Sequence, residues 1–252
     1  MVHHVWTHAI DGQDLFLDGD DRRDIIARLS SILPDGGALC FGWALMSNHV
    51  HLVVKTGPQR LGTLMQRLLT GYAMRFNGRS GRRGYLLRGR FGSRLVRDEA
   101  DLWVVIRYVL RNPLQAGIVR SLDALERYPW CGLAAMIGRR PPLPFESVAE
   151  TLALFAPDEG TARSRLREWI ERPAASTGPA LDALVRSVCA ELAVPEVDLR
   201  GGRRTRLASR ARTLVCRRAV NEAGLGVVEV ARGLGLSHAA VSQALARSEA
   251  DK

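Results

Sequence analysis

The sequence has few cysteines and no long apolar run, and these absences exclude several classes of protein. Among its 252 residues the four cysteines are scattered, and no pair has the Cys-x-x-Cys spacing typical of zinc and redox sites (Cys40, Cys131, Cys189 and Cys216). No apolar segment reaches the roughly 18 residues that a membrane-spanning helix needs, so no membrane partner is expected. Residues 1–5 lack the basic start and apolar core of a secretory signal peptide. We therefore expect a reduced, cytoplasmic protein.

Acidic residues are missing from two long stretches of this basic chain. The formal net charge is +10, and apart from Lys55 and Lys252 every Lys or Arg position is an arginine. Residues 56–97 contain ten arginines and no acid, and residues 199–221 contain eight more arginines, again without an acid. Solvent-exposed surfaces normally mix both signs of charge. The two acid-free stretches therefore predict two nucleic-acid-binding surfaces.

Apolar spacing predicts a mixed α and β fold for the first part of the chain. The expected elements, in order, are strand Val2–Ala9, a helix from Asp20 or Asp21 to Pro34, a hairpin of strands Ala38–Leu45 and His49–Lys55, helix Leu61–Phe76, a hairpin Gly84–Val96 and helix Asp101–Arg111. The Asn112-Pro113 step is expected to end the last helix, because proline disfavours helical geometry in the residue before it.

The proline-rich segment Arg139–Pro144 predicts a linker, and the pattern after it is helical throughout. Helices are expected at residues 146–155, 161–170, 180–192 and 206–223, followed by two short helices. We therefore predict an α+β domain (1–138), a linker and helical connector (139–179) and an all-α helix-turn-helix domain (180–252).

His49 and His51 are candidate metal ligands. They lie in a predicted strand, where side chains two residues apart point to the same face, so both imidazoles can approach one ion. The alternative is a pair of half-buried structural histidines in a sheet, and the spacing alone does not separate the two.

Tyr108 and Asn112 are candidates for a nucleophile and a third ligand. They lie four residues apart in a predicted helix and share one face of it. Two imidazoles and an amide oxygen suit Mg²⁺ or Mn²⁺ with open positions for phosphate oxygens. A metal is needed because a phenol is a poor nucleophile at neutral pH. Taken singly, Tyr108 can equally be a packing residue and Asn112 a helix-terminal one.

Several motifs occur together in the first 138 residues. They are His4-Val5 with Leu15-Phe16, Met46 to Val53 around the His pair, Tyr72 to Asn77 with Gly84 and Arg90-Phe91, Tyr108 to Gly117 around Asn112-Pro113, and Tyr128-Pro129-Trp130. In order and spacing they resemble the motifs of HUH-type single-tyrosine transposases, in particular the REP-associated tyrosine transposases.

The resemblance implies a fold, a reaction and a DNA substrate. The fold is a ferredoxin-like antiparallel sheet with the two histidines on a central strand and the tyrosine helix nearby. In the reaction, the tyrosine attacks single-stranded or hairpin DNA and leaves a 5′-phosphotyrosine link and a free 3′-OH. Enzymes of this kind occur as homodimers with exchanged active sites and as monomers, so both states are open.

Three details of the resemblance bear on the DNA contacts. His8-Ala9 stands where related sequences commonly have Arg-Gly, so His8 either substitutes for that contact or has no role. Tyr72 also matches a family tyrosine, but its apolar neighbours favour packing or base stacking, and we prefer Tyr108 as nucleophile. The candidate DNA contacts in the first acid-free stretch are Arg75, Arg83, Arg88, Arg90 and Arg94.

Residues 227–245 have the pattern of a helix-turn-helix. Ser237 is expected to cap the second helix, which would present residues to the major groove. The candidate DNA contacts of this region are Arg203, Arg204, His238, Ser242 and Gln243. Residues 181–247 resemble the DNA-binding domain of the bacterial replication initiator, and the alternative is a plain helical hairpin.

The sequence supports two alternative functions, an enzyme and a DNA-binding protein without catalysis. The first is a metal-dependent tyrosine DNA transposase or nuclease with an appended duplex-DNA-binding domain. The second is a domesticated sequence-specific DNA-binding protein or repressor in which catalysis is lost or incidental. The intact set of His49, His51, Tyr108 and Asn112 favours the first.

Overall fold

The chain forms two compact units. A computed structural model describes residues 1–171, 177–200, 205–223, 225, 227–236 and 238–247. Its contacts separate an N-terminal unit, Met1–Glu171, from a C-terminal unit, Arg172–Lys252. Each unit has hydrophobic cores of its own. Within the described ranges, no helix combines the length and the apolar character needed to cross a membrane.

The N-terminal unit is built on a four-stranded antiparallel sheet with the order β2-β3-β1-β4. Helix α1 connects β1 to β2, and helix α2 connects β3 to β4. The bounds are β1 (Val2–His8), α1 (Gly19–Asp35), β2 (Leu39–Leu45), β3 (His49–Lys55), α2 (Leu61–Ser80) and β4 (Gly92–Leu95). This βαββαβ connectivity is that of a ferredoxin-like sheet. The α+β class predicted from the sequence is confirmed.

The two faces of the sheet pack against different helices, because successive side chains of a strand point to opposite sides. Leu52 of β3 packs with α1 and α2 into a first core. Val53 packs into a second core on the other side, together with helix α3 (Glu99–Gln115). His49 and His51 are in step with Val53 along β3, so the His pair lies on the α3 side of the sheet.

Helix α3 is longer than predicted. It begins after Asp98, whose side chain accepts a 2.8 Å hydrogen bond from the backbone N–H of Asp101, and it continues through Pro113 to Gln115. The prediction that the helix ends at Asn112-Pro113 is wrong. Proline removes one backbone donor, but here it lies in the last turn, and both Asn112 and Pro113 are buried.

The predicted Gly84–Val96 hairpin is also wrong. The strand in this segment is β4, and it pairs with β1, so that Ser93 lies opposite Val5. A single bridge between Ala9 and Leu87 continues the contact beyond β1. Pairing with a strand so far away in sequence leaves no local signal, whereas glycine-rich segments do suggest a hairpin.

Residues 145–170, predicted as part of a connector, pack into the N-terminal unit. After α3 come the short helices α4 (Leu122–Glu126) and α5 (Leu133–Met136), and the segment itself forms α6 (Val148–Leu152) and α7 (Glu159–Glu171). Leu166 of α7 is buried in the second core. Trp103 of α3 lies 5.3 Å from Trp169, centroid to centroid, and the Arg111 guanidinium donates to the Ile170 carbonyl. The N-terminal unit therefore extends to Glu171 rather than ending at residue 138.

The C-terminal unit is helical where the structure describes it. Its helices are α8 (Thr177–Leu192), α9 (Glu196–Arg200), α10 (Arg206–Arg217), α11 (Val227–Leu234) and α12 (His238–Arg247), with a π-helical segment Arg218–Glu222. Helices α11 and α12 pack against each other and bury Val230 and Val241. Ser237, the predicted cap between them, lies outside the described residues. The helix-turn-helix remains a prediction.

Candidate functional site

His49 and His51 lie next to each other at the start of β3. Their ring centroids are 4.9 Å apart, and the ring planes meet at 86°. His51 is buried and His49 is half-buried. The strand therefore brings two imidazoles together at the edge of the protein interior.

A neighbouring side chain contacts the Nδ1 atom of each of these rings. His49 donates from Nδ1 to Asn48 Oδ1 at 2.7 Å. His51 Nδ1 lies 3.1 Å from His4 Nε2, which is hydrogen-bond distance. Burial lowers the pKa of His4 to about 3, with a contribution from the charge of Arg94, so His4 is neutral at neutral pH. One nitrogen of the His4–His51 pair therefore carries the shared proton.

Strand β1 adds His4, Trp6 and His8 to the face that carries the His pair. The spacing of the pair in the sequence did not indicate His4 or Trp6. Trp6 lies opposite His51, and His8 lies opposite His49. The rings of His8 and His49 stack at 4.9 Å with 25° between their planes. The Trp6 ring covers Gly92 of β4, where a Cβ would come within 2.4 Å of it. Alternation along β1 would have revealed these residues once its pairing with β3 was known.

Helix α3 places Tyr108 against the histidines. The Tyr108 ring centroid lies 5.4 Å from that of His51 and 5.7 Å from that of His4, both edge-on. Burial raises the pKa of the Tyr108 phenol, and a hydrogen bond with the Asn112 side chain acts in the opposite direction. Asn112 is itself buried, 7% exposed. The structure thus brings together His51, Tyr108 and Asn112 through two direct contacts.

An ion pair fixes the start of α3 to the sheet. Arg94 of β4 donates two hydrogen bonds to the Asp101 carboxylate, at 2.7 and 2.9 Å. Burial alone would raise the pKa of Asp101, but the hydrogen bonds and charges of Arg94 and Arg97 together outweigh it and hold the pKa below its usual value. Two parallel bonds of this kind also set the orientation of the partners. Arg94 therefore positions the helix that carries Tyr108.

The other tyrosines lie elsewhere, and the structure describes all of them. Tyr72 is buried in the first core, on the opposite side of the sheet, and its hydroxyl donates to the Leu15 carbonyl at 2.5 Å. Burial also raises the pKa of Tyr72. The Tyr128 hydroxyl donates to the Leu45 carbonyl at 3.1 Å. Tyr108 is the tyrosine whose ring contacts His51.

The five predicted DNA contacts of the first acid-free stretch divide into two groups. Arg75 pairs with Asp24 of α1 at 2.9 Å, and Arg94 is held by Asp101, so two predicted DNA contacts are ion-paired within the protein. Arg83, Arg88 and Arg90 are exposed, and none of the acidic side chains that the structure describes pairs with them. The positive charge of this stretch, which has no acidic residue of its own, is therefore partly neutralised by acidic side chains of α1 and α3.

The C-terminal candidates are described in part. Arg203 and Arg204, and the side chains of His238 and Ser242, lie outside the described residues, while Gln243 is exposed. Helix α10 adds a surface that the acid-free stretch alone did not indicate. Its exposed arginines are spaced by one and two helical turns and lie on one face (Arg206, Arg210 and Arg217).

The donor set at the His pair fits a small divalent ion in part. Among the residues that the structure describes, no three His, Cys, Asp or Glu side chains form a group that could hold a metal. Two imidazoles and the Asn112 amide are nevertheless donors that Mg²⁺ or Mn²⁺ accepts, with water or phosphate completing the shell.

Comparisons with known proteins give one distant similarity. No protein-family model matches the sequence, and no curated protein matches it. A solved structure described as a REP-associated tyrosine transposase bound to a REP hairpin is similar, with a TM-score of 0.45 and 14% sequence identity. The match covers 55% of this chain and 79% of the other.

Proposed function

We propose that the chain is a tyrosine DNA transposase or nuclease that cleaves and rejoins single-stranded or hairpin DNA. The observation that carries the proposal is the contact of Tyr108 with His51, whose imidazole is paired on the strand with that of His49. A phenol beside two potential metal ligands is an arrangement that can support phosphodiester cleavage by tyrosine. The motif resemblance of the first 138 residues supports the same reaction.

In the proposed reaction the Tyr108 oxygen attacks the phosphorus of a DNA phosphodiester. The bond from phosphorus to the 3′ oxygen breaks, the tyrosine retains the 5′ phosphate, and the released 3′ oxygen takes up a proton. Rejoining is the reverse reaction, with a 3′-OH as the attacking group. Because burial raises the pKa of the Tyr108 phenol, the phenol must lose its proton during the attack.

His49, His51 and Asn112 would hold the Mg²⁺ or Mn²⁺ ion. When bound, the ion supplies Lewis-acid polarisation of the scissile phosphate and stabilises the charge that develops there. Because a neighbouring side chain contacts Nδ1 of each histidine, Nε2 would be the coordinating nitrogen of both. For His51 this requires that Nδ1 donates its proton and that His4 accepts it at Nε2.

We assign duplex DNA to the C-terminal unit. The support is the arginine face of α10 together with the predicted helix-turn-helix of α11 and α12. Cationic side chains along one helix face suit the phosphates of a duplex, and a helix that follows a turn suits its major groove. The motifs leave the oligomeric state open, either monomer or homodimer.

The test is covalent capture with DNA labelled at one end. The full-length chain is incubated with Mn²⁺ and a hairpin DNA with single-stranded flanks. A label at the 3′ end should move with the protein through denaturing electrophoresis, while a label at the 5′ end should appear on a free fragment that a polymerase can extend. Chelation of the metal should abolish both products. Absence of a labelled adduct on a panel of DNA from around the native gene would contradict the proposal.

The second candidate function is a DNA-binding repressor without catalysis. The arginine face of α10 is the observation that favours it, because binding of duplex phosphates by these side chains does not need the His face or Tyr108. A repressor would retain specific DNA binding and yield no adduct with any divalent metal. The end-labelling experiment therefore separates the two functions.

A further inference from the structure

Tyr85 is almost fully exposed, which is unusual for an aromatic side chain. Its fractional exposure is 86%, whereas Tyr72 and Phe76 of the same acid-free stretch are 1% and 3% exposed. Phe91 packs partly against the first core. Aromatic rings normally bury most of their surface, because burial is strongly favourable. The ring of Tyr85 is therefore available to a partner, which is not so for the two aromatic residues of α2.

The backbone on both sides of Tyr85 is held in place. Before it, Asn77 Nδ2 donates to the Gly84 carbonyl at 2.9 Å. After it, Leu86 is buried in the first core, and its carbonyl accepts a 2.9 Å hydrogen bond from Ile10. Arg82 also donates to the Tyr85 carbonyl at 3.2 Å. The ring is thus presented from a fixed backbone, which lowers the entropy lost when a partner binds.

The surroundings of Tyr85 are cationic and adjoin the His face. Arg83, Arg88 and Arg90 are exposed without an ion pair to any acidic side chain in the described ranges. The backbone N–H of Arg88 donates to the His8 carbonyl at 3.0 Å, at the end of β1 where His8 stacks on His49. An exposed ring among arginines is the combination by which proteins bind single-stranded nucleic acid, with stacking on bases and charge on phosphates.

We propose that Tyr85 is a stacking platform for an unpaired base of the DNA strand, and that Arg83, Arg88 and Arg90 bind the phosphates beside it. This deepens the proposed function, on which it rests for the identity of the partner. The platform holds the single strand where it approaches the end of β1 and the His face. Stacking uses the π-face that every base has, so the contact tolerates different sequences.

The test measures binding of the full-length chain in a chelator, so that cleavage does not interfere. The probe is a DNA hairpin whose single-stranded flanks carry 2-aminopurine at one position at a time, since stacking quenches its fluorescence. Tyr85→Ala should weaken binding by roughly 5- to 150-fold and abolish the quenching at one flank position. Tyr85→Phe should retain both, because stacking needs the ring and not the hydroxyl. Met74→Ala, at another exposed apolar position (71%), should bind like the wild type.

The outcomes distinguish this inference from the proposed function. If wild-type protein forms the labelled adduct but Tyr85→Ala binds with unchanged affinity and quenching, the platform is refuted while the proposed function stands. If wild-type protein binds and quenches in a Tyr85-dependent way but forms no adduct with Mn²⁺, the platform stands and catalysis is refuted. Failure of the wild type to bind any single-stranded flank overturns both, and it would direct attention to a protein partner for this exposed ring.

Discussion

His4 Nε2 lies 3.1 Å from Nδ1 of His51, on the neighbouring strand. This contact joins a residue of β1 to a proposed metal ligand. The ring of Tyr108 lies edge-on against both histidines. A hydrogen bond of this type fixes the tautomer and the orientation of a ligating imidazole. His4 is therefore a positioning residue in the proposed site.

We expect His4→Phe to weaken the binding of Mn²⁺ by about 10- to 100-fold, because the ring is kept but the acceptor for His51 is lost. Calorimetric titration with Mn²⁺ measures this directly, without dependence on activity. His3→Phe is the matched control, since His3 precedes His4 on the same strand and points to the opposite face. Equal affinities for the wild type and His4→Phe would contradict the positioning role.

His49→Ala and His51→Ala should each abolish metal-dependent cleavage and leave the protein folded. Both side chains lie on the proposed metal face, so their removal deletes ligands. His51→Ala also removes ring contacts with His4 and Tyr108, which lowers its stability equally with and without the ion. Thermal unfolding with and without Mn²⁺ provides the check: the wild type should gain stability with the ion, and the variants should not. If Mn²⁺ stabilises the variants as much as the wild type, or does not stabilise the wild type, the histidines are structural.

Tyr108→Phe should abolish the covalent adduct and leave DNA binding within a few-fold, because the hydroxyl is the proposed nucleophile and the ring still packs. Tyr72→Phe is the control. It removes the hydrogen bond to the Leu15 carbonyl and should destabilise the unit by about 1–2 kcal/mol without loss of the adduct. An adduct formed by Tyr108→Phe and lost in Tyr72→Phe would reverse the assignment.

A fragment of residues 1–171 should nick hairpin DNA, whereas a fragment that ends near Arg139 should be unstable. The longer fragment keeps α6 and α7, which bury Leu152, Leu166 and Ile170 in the core beside α3. Removal of these side chains exposes the outer side of the helix that carries Tyr108. Circular dichroism melting and the end-labelling assay compare the two. A fully active fragment that ends near Arg139 would show that α7 has no part in holding α3.

The C-terminal unit should bind duplex DNA through the arginine face of α10. The fragment 172–252 should bind with a steep salt dependence and no cleavage, since each phosphate contact releases condensed counterions. Each of Arg206→Ala, Arg210→Ala and Arg217→Ala should lower the slope of log affinity against log salt by about 0.9. Arg186→Ala, at an exposed position on α8, is the control. No duplex affinity at low salt would refute the helix-turn-helix hypothesis.

Local patterns in the sequence predicted the elements that carry the site. Two apolar runs on either side of a short polar turn predicted strands β2 and β3, and the structure has them at Leu39–Leu45 and His49–Lys55. Spacing alone also suggested that Tyr108 and Asn112 share a helical face. These predictions succeeded because the spacing of apolar residues and the residue types that form turns can be read within a short window of sequence.

What the sequence did not indicate depends on contacts between distant residues. The pairing of β4 with β1 joins Ser93 to Val5, and the ion pair of Arg75 joins α2 to Asp24 of α1. Neither has a signature within a short window of sequence. For the same reason the site residues His4 and Trp6 became apparent only through the register of β1 on β3.

Successive side chains of β1 and β3 point alternately to the two faces of the sheet, so the length of each strand decides which face every side chain reaches. In β1 the residues at positions 4, 6 and 8 face the histidine site while Val5 is in the first core, and in β3 Leu52 and Val53 belong to opposite cores. A substitution can therefore alter one face and leave the other intact. Deletion of a single residue inside either strand cannot, because it turns every later side chain of that strand to the opposite face. Single-residue deletions here should therefore destabilise the fold and disrupt the histidine site together. These two strands should tolerate substitutions far better than deletions or insertions.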